Sequence, residues 1–429
     1  MKKALALALA VIMAFSLASV TTSAFADDAL EGHLTVLSFT EYHDAVQATL
    51  DAFMEKNPGV TVDLEEYPFA QYSDAIEIKL GSASKDYDVL LTDITMVSNW
   101  AYQGWITPVD EYFTAEEKAL FAPALVEAGT FESEFFSPPI CNSCQAMFYN
   151  KDLLDAAGIP YPSENPEERY TWEEFADVGK TIVDKLGTDG VYAITFEQVD
   201  RPYQVLPIPN SAGGDVFAED GLTSDGYLNS EAFVKGMQYY QDMHNEYGFA
   251  PKGVSASETV GLFTAGKVAF ICSNIYNYKN FSSLDGFNFG YTPFPFFADG
   301  QPASPTGSWH VSVSNYSQNK ELAVELVKFF SLEEGNDIFL ASRGAFSAKL
   351  ADLDKYATDP AYNEFPLSIF KLASYEAANT AYPRPVTVGY GIFEKIIEST
   401  FSDIRNGLNV QESLDSAVDQ LNAQLSIYE

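Results

Sequence analysis

At 429 residues the chain is too long for one compact domain, and its 47% apolar and 14% aromatic content is too rich for a disordered polymer. Lys and Arg number 24 against 61 Asp and Glu, a formal net charge of −37. Such a surface repels a phosphate backbone, which needs a basic patch, so nucleic acid is excluded as a partner.

Lys2 and Lys3 precede an apolar stretch from Ala4 to Ala14 that continues weakly to Val20, followed by Ser23, Ala24, Phe25 and Ala26. This order of basic, apolar and small residues predicts a secretory signal peptide over residues 1–26, cleaved after Ala26. The apolar run is shorter than the roughly 20 residues a membrane-spanning helix needs. With no Cys near the cleavage point, a lipid anchor has no acceptor thiol. The mature chain is therefore expected to be an acidic, soluble protein, periplasmic or secreted.

Downstream, Leu34 to Phe39 reads as a strand, and Asp44 opens a helix with Val46, Leu50, Phe53 and Met54 on one face. Asn57, Pro58 and Gly59 end it. A strand from Val60 to Leu64, a helical stretch from Gln71 to Leu80 and a strand from Tyr87 to Leu91 continue the alternation, which predicts a parallel sheet covered by helices. Ligands bind beyond the carboxyl ends of such strands, where Ser38 to His43 and Thr92 to Met96 lie.

Three Cys, at 141, 144 and 272, leave one thiol over in any intrachain scheme. In an exported protein the C-x-x-C of Cys141 and Cys144 predicts a local disulfide, with Cys272 buried. It lacks the second ligand pair of a zinc site, and His33, His43, His244 and His310 are scattered, so neither metal nor cofactor is expected. A second block starts near Met147 to Tyr149 and crosses Pro160, Pro162 and Pro166. It enters a helix at Thr171, whose capping box is completed by Glu174. Ala193 to Phe196 and Val268 to Ile271 read as buried strands, and Val311 to Ser314 as an alternating one. Asn319 opens a helix with Leu322, Leu326, Phe329 and Phe330 on one face, and Leu414, Val418, Leu421 and Leu425 mark the closing helix. Two α/β lobes joined by ordered crossings fit this pattern.

Five segments in order resemble the extracellular solute-binding proteins of ABC importers, in particular the carbohydrate-binding group similar to maltose-binding protein. They are Phe53 to Val62, Tyr87 to Asp93, Tyr149 to Ile159 followed by Thr171 to Phe175, Phe263 to Phe270 with its Gly266-Lys267, and Asn319 to Phe330. The resemblance implies a type II periplasmic-binding-protein fold: two lobes, each a sheet covered by helices, closing over a solute across a hinge. It assigns residues 27–145 and 306–345 to the N-terminal lobe, and 146–305 and 346–429 to the C-terminal lobe. It implies no catalysis, a monomer, a small carbohydrate as ligand and a membrane permease as partner. One departure is that Ser273 to Tyr276 stands where the family motif usually leads to a Trp.

A sugar offers hydroxyl edges to carboxylates and amides, and C–H faces to aromatic rings. Glu41 and Tyr42, after the first strand, pair the two types, and a solvated loop before the Asp44 helix start is the alternative reading. Asp93 suits two hydroxyls or a helix N-cap. Asn274 and Tyr276 follow the strand that resembles the family's ligand-side loop. Trp309, between Gly307-Ser308 and a returning strand, is expected to have few core neighbours and to stack on the ligand. Tyr382 and Arg384, among prolines, are candidates to close the cleft. Arg201 is divided between a hinge salt bridge and a ligand contact. An alternative is an enzyme similar to thiamine pyridinylase on the same fold. Pro139 to Cys144 is similar to its nucleophile loop, but the spacing puts Ser143 where the Cys belongs, and Asn274 falls near the expected acid. A binding protein for a peptide, polyamine or organic anion is a further alternative.

Overall fold

The computed structural model describes residues 30–428, so the predicted signal peptide lies outside the described residues. Strands β1 (Glu31–Phe39), β2 (Gly59–Tyr67) and β3 (Val89–Asp93) run parallel with β1 in the middle. Helices α1 (His43–Lys56) and α2 (Phe69–Gly81) make the crossovers. The face of α1 that carries Val46, Leu50 and Phe53 is buried, as its period requires. The third strand starts two residues later than predicted. Asp88 is instead spent on a corner, where its carboxylate accepts from the Thr35 N–H (2.9 Å) and the Ser317 hydroxyl (2.5 Å).

The rest of the chain adds β4 (Pro139–Asn150), β5 (Tyr192–Phe196), β6 (Val268–Asn274), β7 (Phe289–Thr292), β8 (Ser304–Val313) and β9 (Ala381–Pro383). Strand order is β2-β1-β3-β8-β4-β6-β5, with β9 beside β8 and β7 beside β4. Strand β4 serves two sheets. Its Cys141 to Cys144 pair antiparallel with Trp309 to Thr306 of β8, and its Gln145 to Tyr149 pair with β6. Helix α3 (Trp172–Leu186) begins at the predicted capping box, the Glu174 N–H donating to Thr171 Oγ1 (3.1 Å) and the Thr171 N–H to Glu174 Oε2 (2.8 Å). Helices α4 (Glu231–Asn245), α5 (Lys320–Ser331), α6 (Glu334–Arg343), α7 (Ile369–Asn379), α8 (Tyr390–Arg405) and α9 (Val410–Leu425) cover the sheets.

The alternation at Val311 to Ser314 is real, but its polar side faces no solvent. Ser312 is buried and its Oγ pairs with Thr92 Oγ1 and Ser137 Oγ (2.8 Å each), which satisfies the hydroxyls inside the sheet.

The expected disulfide is overturned: Cys141, Cys144 and Cys272 are all free and buried. Residues three apart on a strand point to opposite faces, with Cα atoms about 10 Å apart, beyond the reach of a disulfide. Cys141 joins the main core, whereas Cys144 joins a second apolar cluster with Phe148 and Phe346. Burial pushes the Cys141 thiol up to about 12 and raises those of Cys144 and Cys272 as well. The native protein should therefore show no reactive thiol, three after unfolding, and the same melting temperature with and without dithiothreitol. A reductant-dependent fall in Tm would restore the disulfide.

Two histidines also enter the interior. Burial holds His244 and His310 down at about 4, against the ordinary 6.5. Because the folded pKa lies below the unfolded one, their contribution to stability is complete above pH 6.5 and is lost as pH falls toward 4. Tm should decline between pH 6.5 and 5, and less steeply in His244→Leu. Parallel pH profiles for the two proteins would remove His244 from this acid limb.

Candidate functional site

Strand β1 ends at Phe39, β3 at Asp93 and β6 at Asn274, and Glu197 follows β5 directly. All four residues line one cavity of about 300 Å³, at the carboxyl ends of the parallel strands. Of the residues singled out in the sequence, Glu41, Tyr42, Asp93, Asn274, Tyr276, Trp309 and Arg384 come together here, as does Arg201.

One wall is aromatic. The Phe39 ring lies 4.2 Å from Tyr42, 4.6 Å from Trp309 and 5.3 Å from Phe69, centroid to centroid. Trp309 thus departs from the expectation of few core neighbours. Its position on β8, opposite Asp93 and Cys141, tilts it onto the rings that follow β1, and it remains only partly buried. Glu41, at the mouth, accepts the Phe69 N–H (3.1 Å).

The facing wall is polar. The Glu197 carboxylate accepts from Ser273 Oγ (2.9 Å), the Asn274 N–H (2.9 Å), Tyr276 OH (3.0 Å) and Asn277 Nδ2 (3.0 Å). That network fixes the Tyr276 ring. Asn274 accepts the Tyr276 N–H at Oδ1 (3.2 Å), and Tyr203 OH donates to Ser143 Oγ (3.0 Å).

Asp93 fills the N-cap role that the sequence allowed, accepting from the Thr95 N–H (3.2 Å) and Oγ1 (3.0 Å). It also binds Arg384 through contacts of 2.6 and 3.2 Å. Burial raises the Asp93 pKa, but the Arg384 charge and these hydrogen bonds outweigh it and leave the carboxyl below its ordinary value. Arg201 makes the salt bridges, to Glu394 (3.1 Å) and Glu398 (3.0 Å), and also lies over the Phe69 ring at 4.9 Å. Tyr382 is the residue the structure does not bring in. Its hydroxyl donates to Asp215 (2.6 Å) in an adjoining hollow of about 340 Å³, with Arg384 bordering both spaces.

Glu197, Tyr203, Phe39, Phe69 and Arg343 also line the cavity and were not singled out in the sequence as ligand contacts. Position one past a buried strand was the available signal for Glu197. Arg343, in a Ser-Arg-Gly at a helix end, has no local signal. Among the described residues no group of three or more His, Cys, Asp and Glu is arranged to hold a metal, and no helix is long and apolar enough to cross a membrane.

Residues 38–337 match the family model for bacterial extracellular solute-binding proteins. The chain belongs to that family. This solute-binding protein is 27% identical over 337 residues to the galactooligosaccharide-binding protein of Bacillus subtilis, covering 76% of this chain and 74% of that one. It is 23% identical over 392 residues to the maltodextrin-binding protein of the same organism, covering 90% and 88%. Its fold matches the GacH receptor of Streptomyces glaucescens, solved unliganded and with acarbose, at a TM-score of 0.80 and 21% identity, covering 93% of this chain and 100% of that one. It also matches Lmo0181 of Listeria monocytogenes, solved with cycloalternan, at a TM-score of 0.81 and 19% identity, covering 92% and 100%. The two-lobed architecture of solute-binding proteins is therefore the architecture of this chain.

Proposed function

We propose that the protein captures a sugar or short oligosaccharide in the cavity between its lobes and delivers it to the membrane permease of an ABC importer. The observation that carries this reading is the pairing of the Phe39, Tyr42, Phe69 and Trp309 rings with the polar wall around Glu197. Rings suit the C–H faces of a pyranose, and fixed polar groups suit its hydroxyls. A cavity of about 300 Å³ leaves room for about one or two sugar rings. The galactooligosaccharide-binding and maltodextrin-binding relatives support the same ligand class. Residues 27–145 with 306–345 act as one lobe and 146–305 with 346–429 as the other. The passage of β4 from one sheet to the other after Cys144 supports that division. Closure of the lobes gives the permease a liganded state to distinguish.

The protein works as an exported monomer without catalysis. The pyridinylase-like alternative needs an accessible thiolate beside a base, whereas Cys144 is buried with its pKa raised, and Ser143 is the residue that lines the cavity. A thermal-shift screen over neutral and acidic mono- and oligosaccharides tests the reading. A sugar at 100 times its Kd adds about 2.7 kcal/mol, a shift of several degrees. Stabilisation by a peptide, a polyamine or thiamine, with none by any saccharide, would overturn it.

A further inference from the structure

The sequence contains five arginines. Four hold carboxylates: Arg169 with Glu376, Arg201 with Glu394 and Glu398, Arg384 with Asp93, and Arg405 with Asp200. Arg343, at the end of α6, is the exception. It has no ion-pair partner among the described residues, yet it lines the cavity of a chain whose net charge is −37.

Its plane is held by two rings. The guanidinium lies 3.5 Å from the Tyr276 centroid and 4.8 Å from that of Tyr42, and its Nε is buried without a hydrogen-bond partner. The negative end of α6 does not use it, since Lys279 Nζ already donates to the Ala341 and Ser342 carbonyls (3.0 and 2.5 Å). Nearby carboxylates are also committed. Glu197 is filled by neutral donors at the far end of Tyr276, and Asp93 by Arg384. With the Tyr276 ring at 3.5 Å and Tyr42 as a neutral hydrogen-bond partner, the guanidinium charge has no carboxylate to answer it, and its remaining N–H groups match a carboxylate in a charge-assisted contact.

We infer that Arg343 receives an anionic group of the ligand, so that the solute is an acidic sugar bearing a carboxylate, such as a hexuronic acid or an oligomer that contains one. This rests on the sugar reading above. The rings and the guanidinium then divide the ligand between them, the rings taking the C–H face of the sugar and Arg343 its carboxylate.

The test is calorimetry on the mature protein with matched pairs: galactose against galacturonate, and galactobiose against digalacturonate. At least one acidic member should bind about tenfold or more tighter than its neutral partner, and added salt should narrow the gap. Arg343→Gln should cost the acidic sugar far more affinity than the neutral one and so abolish the preference, whereas Arg343→Lys should keep part of it, retaining charge but not the planar fork. Neutral sugars that bind as well as acidic ones, or equal losses for both in Arg343→Gln, would overturn the inference and leave the sugar reading standing. Acetate or inorganic phosphate binding as tightly as the uronate would overturn it in favour of a bare anion site. No binding of any saccharide would instead remove the sugar reading and the inference with it. If Arg343→Gln does not fold, the matched pairs on the unaltered protein decide.

Discussion

Glu376→Ala should destabilise the folded protein by about 3–5 kcal/mol, the cost of leaving one member of a buried ion pair without its partner. Arg169 and Glu376 side chains are 4% and 1% exposed, with nitrogen–oxygen contacts of 2.9 and 3.3 Å. The same carboxylate accepts from the hydroxyls of Ser304 and Thr380, and so ties α7 to the start of β8 and to the entry of β9. Without it a guanidinium stays buried, with only the Pro166 and Phe294 carbonyls to accept from it (2.9 and 3.3 Å). Denaturant midpoints measure the loss. The double variant Arg169→Met/Glu376→Leu should recover much of it, because two packed apolar side chains avoid the desolvation of both charges. A loss below about 1 kcal/mol for Glu376→Ala would mean that water reaches the pair and that it behaves as a surface salt bridge.

Trp309→Ala should weaken sugar binding about tenfold or more, since a lost aromatic contact is worth about 0.5–1.5 kcal/mol beyond the area it covers. The unliganded protein should also lose some stability, because the Trp309 ring packs on Phe39 at 4.6 Å and on Tyr42 at 5.9 Å. Trp309→Phe should keep part of the affinity. Fluorescence offers a direct readout: of four tryptophans only Trp309 lines the cavity, while Trp100 and Trp172 are buried in the core. Unchanged affinity in folded Trp309→Ala, with no ligand-induced change in emission, would move the binding surface away from this wall.

The parts of the fold legible in the sequence are those written in short-range patterns. Strand β1, the buried stripe of α1 and the Thr171–Glu174 capping box are set by residues within a few positions of one another. Asp93 and Asn274 were legible as cavity residues because each lies just past a predicted strand, where loops of an α/β sheet converge. The C-x-x-C misled because spacing does not record conformation. A turn brings such thiols together, but extended β4 sends them into different cores. Arg343 was invisible for a related reason: its isolation from carboxylates depends on the placement of 61 acids, which only the tertiary structure settles. Tyr382 lies on β9 opposite Pro305 of β8, and its hydroxyl meets Asp215 in the adjoining hollow, a partner 167 residues away that no local pattern announces.

The position of β8 sets the order in which the molecule is completed during synthesis and export. It separates β3, which ends at Asp93, from β4, which begins at Pro139, yet it is not made until Ser304–Val313. Any nascent chain that stops short of Ser304 therefore has β3 and β4 with bare backbone edges toward each other and no strand to fill the gap. Such edges invite pairing with other chains. The sheet of the lobe that begins the sequence therefore cannot be completed until about three-quarters of the chain has been made.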